Sequence, residues 1–106
     1  MTTFDKRKDE AEARFKHDQD LTFKATARRN KLLGLWAAEQ MGRVGKSAAD
    51  YAKDVVVSDL ERAGDDDVLQ KVRKDLTDAG IDVGEHRIRK EMDRLMEIAR
   101  AEVHGE

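Results

Sequence analysis

Apolar residues recur at helical spacing through four segments of the chain, beginning at Leu21, and short glycine-containing stretches separate these segments. Apolar positions three and four residues apart form one face of an α-helix. The pattern predicts helices at 21–41, 48–63, 66–79 and 83–103. Because short connections make successive helices antiparallel, residues 21–104 are expected to form an all-α four-helix bundle.

The second segment contains a run of valines that also allows another interpretation. Val55–Val57 is typical of a β-strand, but the chain offers no second segment that could pair with it. The length of the segment favours a helix, whose apolar stripe consists of Ala48, Ala52, Val55, Val56, Leu60 and Ala63. We therefore expect these residues to face the core of the bundle.

The expected ends of the helices carry recognisable local signals. Ser47 with Asp50, and Asp82 with Glu85, have the spacing of capping boxes at the starts of the second and fourth helices. Three carboxylates at 65–67 suit the start of the third helix, because the helix dipole favours negative charge there.

Two glycines have predicted structural roles. Gly34 lies inside the first apolar stripe and costs about 1 kcal/mol relative to alanine unless a neighbour packs closely against it. Gly80 suits the position that follows the third helix, where a left-handed residue lets Ile81 fold back onto Leu76.

The N-terminal segment differs from the rest because it is highly charged and has few apolar residues to bury. Opposite charges four residues apart stabilise a solvated helix by about 0.2–0.5 kcal/mol per pair. Such pairs are Lys6–Glu10, Lys8–Glu12, Glu10–Arg14, Glu12–Lys16, Arg14–Asp18 and Lys16–Asp20. Since an isolated helix of about 15 residues is marginal in water, we predict a flexible, partly helical arm over residues 1–20.

The arm nevertheless carries apolar anchors on one helical face. Phe4, Ala11 and Phe15 share that face, which is the arrangement of a helix that binds in a groove of a partner. The alternative is a disordered tail whose phenylalanines pack loosely on the bundle. His17, between a lysine and an aspartate, is the residue that we consider as a tuning element of the arm.

Composition narrows the class of protein further. The chain has 106 residues, 42% of them charged, with a net charge of −2 and no cysteine. Lack of cysteine excludes disulfides and thiolate metal sites, and no run of about 20 apolar residues could span a membrane. The N-terminus lacks the apolar stretch of a signal peptide, so we expect a cytoplasmic protein. The near-neutral charge disfavours a general nucleic-acid binder.

No arrangement typical of an enzyme or a metal site is present. The three histidines lack the spacing of a helical metal site, and the carboxylates at 65–67 are explained by the start of a helix. One basic cluster stands out, formed by Arg28, Arg29 and Lys31. It is either a solvated helix face or a contact surface for nucleotide phosphates or an acidic protein.

Several motifs together resemble a known family. The string RRNKLLGLWAAE at 28–39 is the most specific, and residues 15–18, 23–25, 51–53 and 63–68 continue the similarity. The chain resembles the zeta subunit of alphaproteobacterial F-type ATP synthases over nearly its whole length. The resemblance implies a four-helix bundle, without enzymatic activity of its own, that inhibits ATP hydrolysis by the synthase.

The resemblance also implies a mechanism and partners. The inhibitory segment maps to residues 2–19 and is expected to enter, as a helix, the interface between a catalytic beta subunit and its alpha neighbour, which blocks the central shaft. The contact residues expected in this arm are Phe4, Arg7, Ala11, Arg14, Phe15 and His17. ADP or ATP is expected as a regulatory ligand, with Arg28, Arg29 and Lys31 chosen by charge as phosphate contacts. No cofactor, nucleic acid or membrane insertion is required, and the protein is expected to be a monomer bound to the synthase at the inner membrane.

Two other functions remain open on the residues alone. The chain could be a small nucleotide-binding or nucleic-acid-binding regulatory bundle that uses the same basic cluster. It could also be a structural bundle that dimerises through Trp36 and its neighbouring leucines.

Overall fold

The computed structural model describes the backbone of residues 3–106 and the side chains of residues 10–106. Within residues 3–106 the chain forms four helices and no strand, which confirms the all-α class and the four-helix bundle. The helices are α1 (Thr3–Gln40), α2 (Gly45–Glu61), α3 (Asp65–Asp78) and α4 (Glu85–His104).

The first helix is longer than the apolar pattern predicts, since α1 is one continuous helix of 38 residues. The expected helix at 21–41 is its second half, and the charged segment before Leu21 is its first half. A helix that extends from a packed segment adds hydrogen bonds without forming a new nucleus, which favours this continuity. Flexibility of residues 1–20 stays a prediction.

The second half of α1 is the central element of the bundle. It packs against α2, α3 and α4, whereas no contact joins α2 to α4 within the described helices. The core lies where these helices meet, and its largest completely buried apolar side chains are Leu33, Leu69, Leu76, Ile88, Val55, Val68 and Val72. The apolar stripe that the sequence predicts for α4 is Ile88, Met92, Leu95, Met96, Ala99 and Val103; all of these are buried except Met96, which is half-buried.

Gly34 marks the closest approach of two helices. A Cβ atom at this position would lie 2.6 Å from the Cα atom of Ala52 and 3.3 Å from a methyl carbon of Val55. The backbone of α2 therefore occupies the space that any side chain at Gly34 would need. The condition under which a glycine is favoured here, a closely packed neighbour, is therefore met.

Both predicted capping boxes are wrong. α2 begins at Gly45, so Ser47 lies inside the first turn instead of before it, and the helix has no side-chain cap hydrogen bond. α4 begins at Glu85 after Gly84, so Asp82 lies too far upstream to cap it. The three carboxylates at 65–67 do occupy the first turn of α3, as predicted.

The turn after α3 has the predicted form, because Gly80 adopts a φ of 82° and the amide of Ile81 donates to the carbonyl of Leu76 at 2.8 Å. In α2, by contrast, the expected buried stripe is wrong at Leu60, which is 61% exposed, and at Ala63, which lies beyond the helix. Leu60 is five residues from buried Val55, about 140° around the axis, and therefore faces solvent.

Candidate functional site

The N-terminal half of α1 extends beyond the bundle. A helix of 38 residues is about 57 Å long, and the molecule measures 64 × 25 × 23 Å. Every side chain from residue 10 to residue 20 is exposed. This stretch therefore presents a complete helical surface to solvent, and its apolar side chains have no packing partner in the bundle.

Phe15 is the main apolar feature of this surface, with 64% of the residue exposed. Ala11 is exposed one turn before it, and Arg14 and His17 are exposed on neighbouring positions. The side chains of Phe4 and Arg7 lie outside the described residues. Of the six predicted contact residues in the arm, the structure thus brings four to one exposed stretch of helix.

The expected ion pairs of the arm are wrong for residues 10–20. No opposite charges within this described stretch lie within 4 Å of one another, so the pairs from Glu10–Arg14 to Lys16–Asp20 are not formed. Exposed side chains gain little from pairing, because water screens the charges and pairing restricts the chains. These charges remain accessible to a partner.

Phe23 is a second exposed aromatic residue that the sequence reasoning did not select as a site. It is 61% exposed and lies eight residues after Phe15, which places the two rings about 80° apart around the helix axis. Its signal in the sequence is an aromatic residue between polar neighbours, Thr22 and Lys24, on a helix whose core stripe passes elsewhere.

The predicted basic cluster does not form one surface. Arg28 lies at the surface and pairs with two carboxylates at the end of the chain, Glu102 at 3.2 Å and Glu106. Lys31, one turn later on the same side of α1, is exposed beside Arg28. Arg29 is only 2% exposed and points into the bundle. Arg29 therefore faces different surroundings from Arg28 and Lys31, and the shared role of the three as phosphate contacts stays a prediction.

Arg29 belongs to a buried polar network that joins three helices. Its guanidinium donates to the Oδ1 atom of Asn30 at 3.0 Å and to Oδ1 of Asp65 at 2.8 Å. The amide of Asn30 donates to Asp59 at 2.8 Å, and Asp59 also accepts the backbone N–H of Gly64 at 3.2 Å. Buried polar groups need such partners. The network therefore fixes the α2–α3 connection against α1.

The network also changes an acid equilibrium. The hydrogen bond from Arg29 lowers the pKa of the Asp65 carboxyl below its ordinary value, despite the opposing effect of partial burial. The nearby positive charge favours the ionised carboxylate. A phosphate could reach the Arg29 guanidinium only by displacing this carboxylate.

A second polar cluster links α2 to α3. The hydroxyl of Tyr51 donates to Asp75 at 2.9 Å, and Lys71 lies 2.7 Å from Asp54 and 3.1 Å from Asp75. Burial raises the pKa of the Tyr51 phenol, so the group stays a neutral donor. Each polar group here has a partner within the fold, which indicates a structural role.

One side of Trp36 packs against the core, and the side chain of Arg87 lies over its ring. Trp36 is half-buried against the core cluster, and the guanidinium of Arg87 lies 5.9 Å from its ring centre. Leu33 is completely buried, and Leu32 packs against the same core. These contacts account for most of the apolar residues that the dimerisation hypothesis uses.

The described residues also bear on metal binding and on membrane insertion. No group of three or more His, Asp or Glu side chains in this part of the chain is arranged to hold a metal ion. No helix in the described residues is both long enough and apolar enough to cross a membrane.

Comparison with known proteins adds two matches. A family model described as ATPase inhibitor subunit zeta matches residues 1–102. A solved structure, titled only as the solution NMR structure of the protein, is 44% identical, with a TM-score of 0.70, and the match covers 80% of this chain and 96% of that chain. No curated protein matches the sequence.

Proposed function

The chain belongs to the family of ATPase inhibitor subunit zeta, and we propose that it inhibits ATP hydrolysis by the F-type ATP synthase. Membership in this family associates the protein with the ATP synthase complex and indicates a subunit without catalysis of its own. We further propose that the inhibitory element is the exposed half of α1, which enters an interface between a catalytic beta subunit and an alpha subunit.

The observation that carries this proposal is the uninterrupted exposure of residues 10–20 on a helix that the bundle holds from one end. A helix-binding groove needs apolar anchors and a charged rim. Phe15 supplies the described anchor, and burying a phenylalanine contributes about 1.5–3 kcal/mol. The exposed charges around it are available for the rim.

Continuity of α1 lowers the cost of binding. An independent arm would have to nucleate a helix in the groove, whereas residues before Leu21 can extend the helix that the bundle already holds. A helix inserted between two subunits whose interface must change shape during each cycle would stop rotation of the central shaft. Such a wedge needs no cofactor and no bond chemistry.

ADP or ATP is retained in the proposal as a regulatory ligand of the bundle. Arg28 and Lys31 are at the surface and could meet phosphates, whereas Arg29 would first have to release Asp65. Titration of isotope-labelled protein with ADP tests this assignment. The site is discarded if the amide resonances of 28–31 do not respond while others do.

The central experiment is an ATP hydrolysis assay with purified F-type ATP synthase from the same organism. The full chain is expected to inhibit hydrolysis, and a chain lacking residues 1–19 is expected to lose inhibition while retaining the helical signal of the bundle. Equal inhibition by the truncated chain would contradict the role of the arm.

A full-length variant tests the anchors separately. Replacing Phe4 and Phe15 by alanine is expected to raise the half-inhibitory concentration about tenfold or more, because about 1.4 kcal/mol of lost binding is a factor of ten. The matched control replaces two exposed apolar residues outside the arm, Val44 and Ile98, by alanine. The anchor model is wrong if both double variants inhibit like the unmodified chain.

A further inference from the structure

An apolar groove runs along the surface where α1 meets α2, and we call it the α1–α2 groove. Its first section has a volume of about 300 Å³ and is lined by Leu35, Ala49, Ala52 and Val56 with the side chains of Lys31 and Lys53. An adjoining section of about 470 Å³ continues past Lys31 and Val56 to Ala27 and Phe23. The two sections together form one continuous surface along three to four turns of α1.

The bundle itself leaves this groove uncovered. No residue of α3 or α4 lines the first section, because these helices pack against other parts of the described structure. Phe23 remains 61% exposed at one end, and Ala49 is exposed at the other. Contiguous exposed apolar surface of this kind is typical of a binding site for another protein.

The rim of the groove is basic. Lys24, Lys31 and Lys53 are exposed along it, and no ion pair among the described side chains engages any of these three lysines. Arg28 and Glu106 both line one end of the groove and neutralise each other in an ion pair, so the free positive charge of the rim belongs to the lysines. Since the whole chain carries a net charge of −2, this is a local departure from its average.

We propose that the α1–α2 groove receives an acidic amphipathic helix from the complex that this protein inhibits. Two adjacent helices form a trough that suits the apolar stripe of a third helix. From Phe23 to Leu35 the trough is about 18 Å long, which corresponds to about three turns of the bound helix. The lysines of the rim match acidic residues flanking its apolar stripe.

This inference rests on the proposed function, because it gives the bundle a second contact with the same synthase. The arm and the groove lie on one continuous helix, so binding at either contact brings the other close to its target. Two linked contacts raise the apparent affinity well beyond that of one. The groove then sets the protein concentration needed for half-inhibition, and the arm determines whether hydrolysis stops.

The test uses the full chain with two charge reversals in the rim, Lys24→Glu and Lys53→Glu, which spare the residues proposed as phosphate contacts. The control carries Lys74→Glu and Lys90→Glu, which make the same charge change on exposed positions of α3 and α4. Each protein is titrated against purified ATP synthase at about 50 mM salt. We expect the rim variant to require about tenfold more protein for half-inhibition, with the same inhibition at saturation.

Salt provides a second measure. Because salt screens charges at the rim, the difference between the rim variant and its control is expected to shrink at about 300 mM salt. Equal half-inhibitory concentrations for the two variants at low salt would overturn the groove proposal while leaving the proposed function intact.

Failure of the proposed function has a different result, in which the unmodified chain does not inhibit hydrolysis at all. Direct binding of each variant to the purified synthase by sedimentation then decides the groove proposal, which is overturned by equal affinities of rim variant and control. The other candidate for binding in the groove is a second copy of this chain. Sedimentation of the unmodified chain as a dimer and of the rim variant as a monomer would assign the groove to that copy and overturn the proposal.

Discussion

Residues 10–20 and residues 25–38 belong to the same helix, yet their surroundings differ completely. Every side chain of the first stretch is exposed, whereas the second contributes Ala25, Leu33, Ala37 and Ala38 to the buried core. The backbone hydrogen bonds are the same in both stretches, so helix formation does not distinguish them. The comparison indicates that the packed half of α1 stabilises the fold, whereas the exposed half provides a surface for binding.

The largest expected effect comes from a substitution in the packed half of α1. Leu33→Ala is expected to lower the free energy of unfolding by about 2–5 kcal/mol, because it leaves a cavity at a completely buried position. Urea unfolding followed by circular dichroism measures the change. The control is Leu60→Ala at an exposed leucine, where a change below about 0.5 kcal/mol is expected. Similar losses in both variants would show that burial does not separate these sites.

The next effect concerns the contact between α1 and α2. Gly34→Ala places a carbon 2.6 Å from the backbone of Ala52, so α2 must shift. Overpacking of this kind costs about 1–3 kcal/mol, and the better helix propensity of alanine offsets about 1 kcal/mol of it. We expect a net loss of stability in thermal unfolding. Gly105→Ala is the control, since its φ of −83° suits any residue, and a stabilised Gly34 variant would contradict the close approach.

A smaller effect depends on pH and tests how the packed half holds α3. Because Arg29 lowers the pKa of Asp65 in the folded state, the ionised pair stabilises the fold at neutral pH. This contribution is lost as the pH falls below the ordinary value of about 4 and through the lowered folded-state value. We expect less than about 1 kcal/mol, since the carboxylate is exposed to solvent.

Measurement of unfolding between pH 6 and pH 3 checks this expectation. Asp65→Asn is expected to flatten the loss of stability on acidification, whereas Asp67→Asn in the same turn keeps the slope of the unmodified chain. Identical slopes for all three proteins would show that the Arg29 contact makes no difference to folding.

The smallest expected effect sharpens the comparison from the exposed half. Phe15→Ala removes a ring that is 64% exposed and has no packing partner in the bundle. We expect the free energy of unfolding to change by less than about 0.5 kcal/mol. A loss near that of Leu33→Ala would mean that the arm packs on the bundle in solution.

The helical architecture was predictable because it depends on local spacing. The stripe of α4 repeats every three or four residues, and Gly80 carries a local signal for the turn after α3. The continuity of α1 was less predictable: the charge spacing of the arm indicated helix, but with few apolar residues to bury it gave no sign that the arm joins the packed helix without a break. The capping boxes failed because the starts of α2 and α4 depend on the connections before them.

The basic cluster shows why a site is harder to predict than a helix. Consecutive residues on a helix point about 100° apart, so Arg29 and Lys31, two positions apart, face nearly opposite directions. Closeness in sequence therefore does not place charges on one surface: Arg28 and Lys31 share a side of α1, and Arg29 does not. The burial of Arg29 depends on Asp65, which is 36 residues later in the chain, and no local pattern announces that contact.

Because α1 is one unbroken rod, the direction in which the leading side chains point is set by the packing near Gly34, far from any partner. Inserting one residue between Leu21 and Ala25 would leave the core untouched but turn everything upstream by about 100° and advance it about 1.5 Å. The number of residues between the packed half and the exposed half of α1 is thus as constrained as their identity, because it sets the direction in which the exposed side chains face.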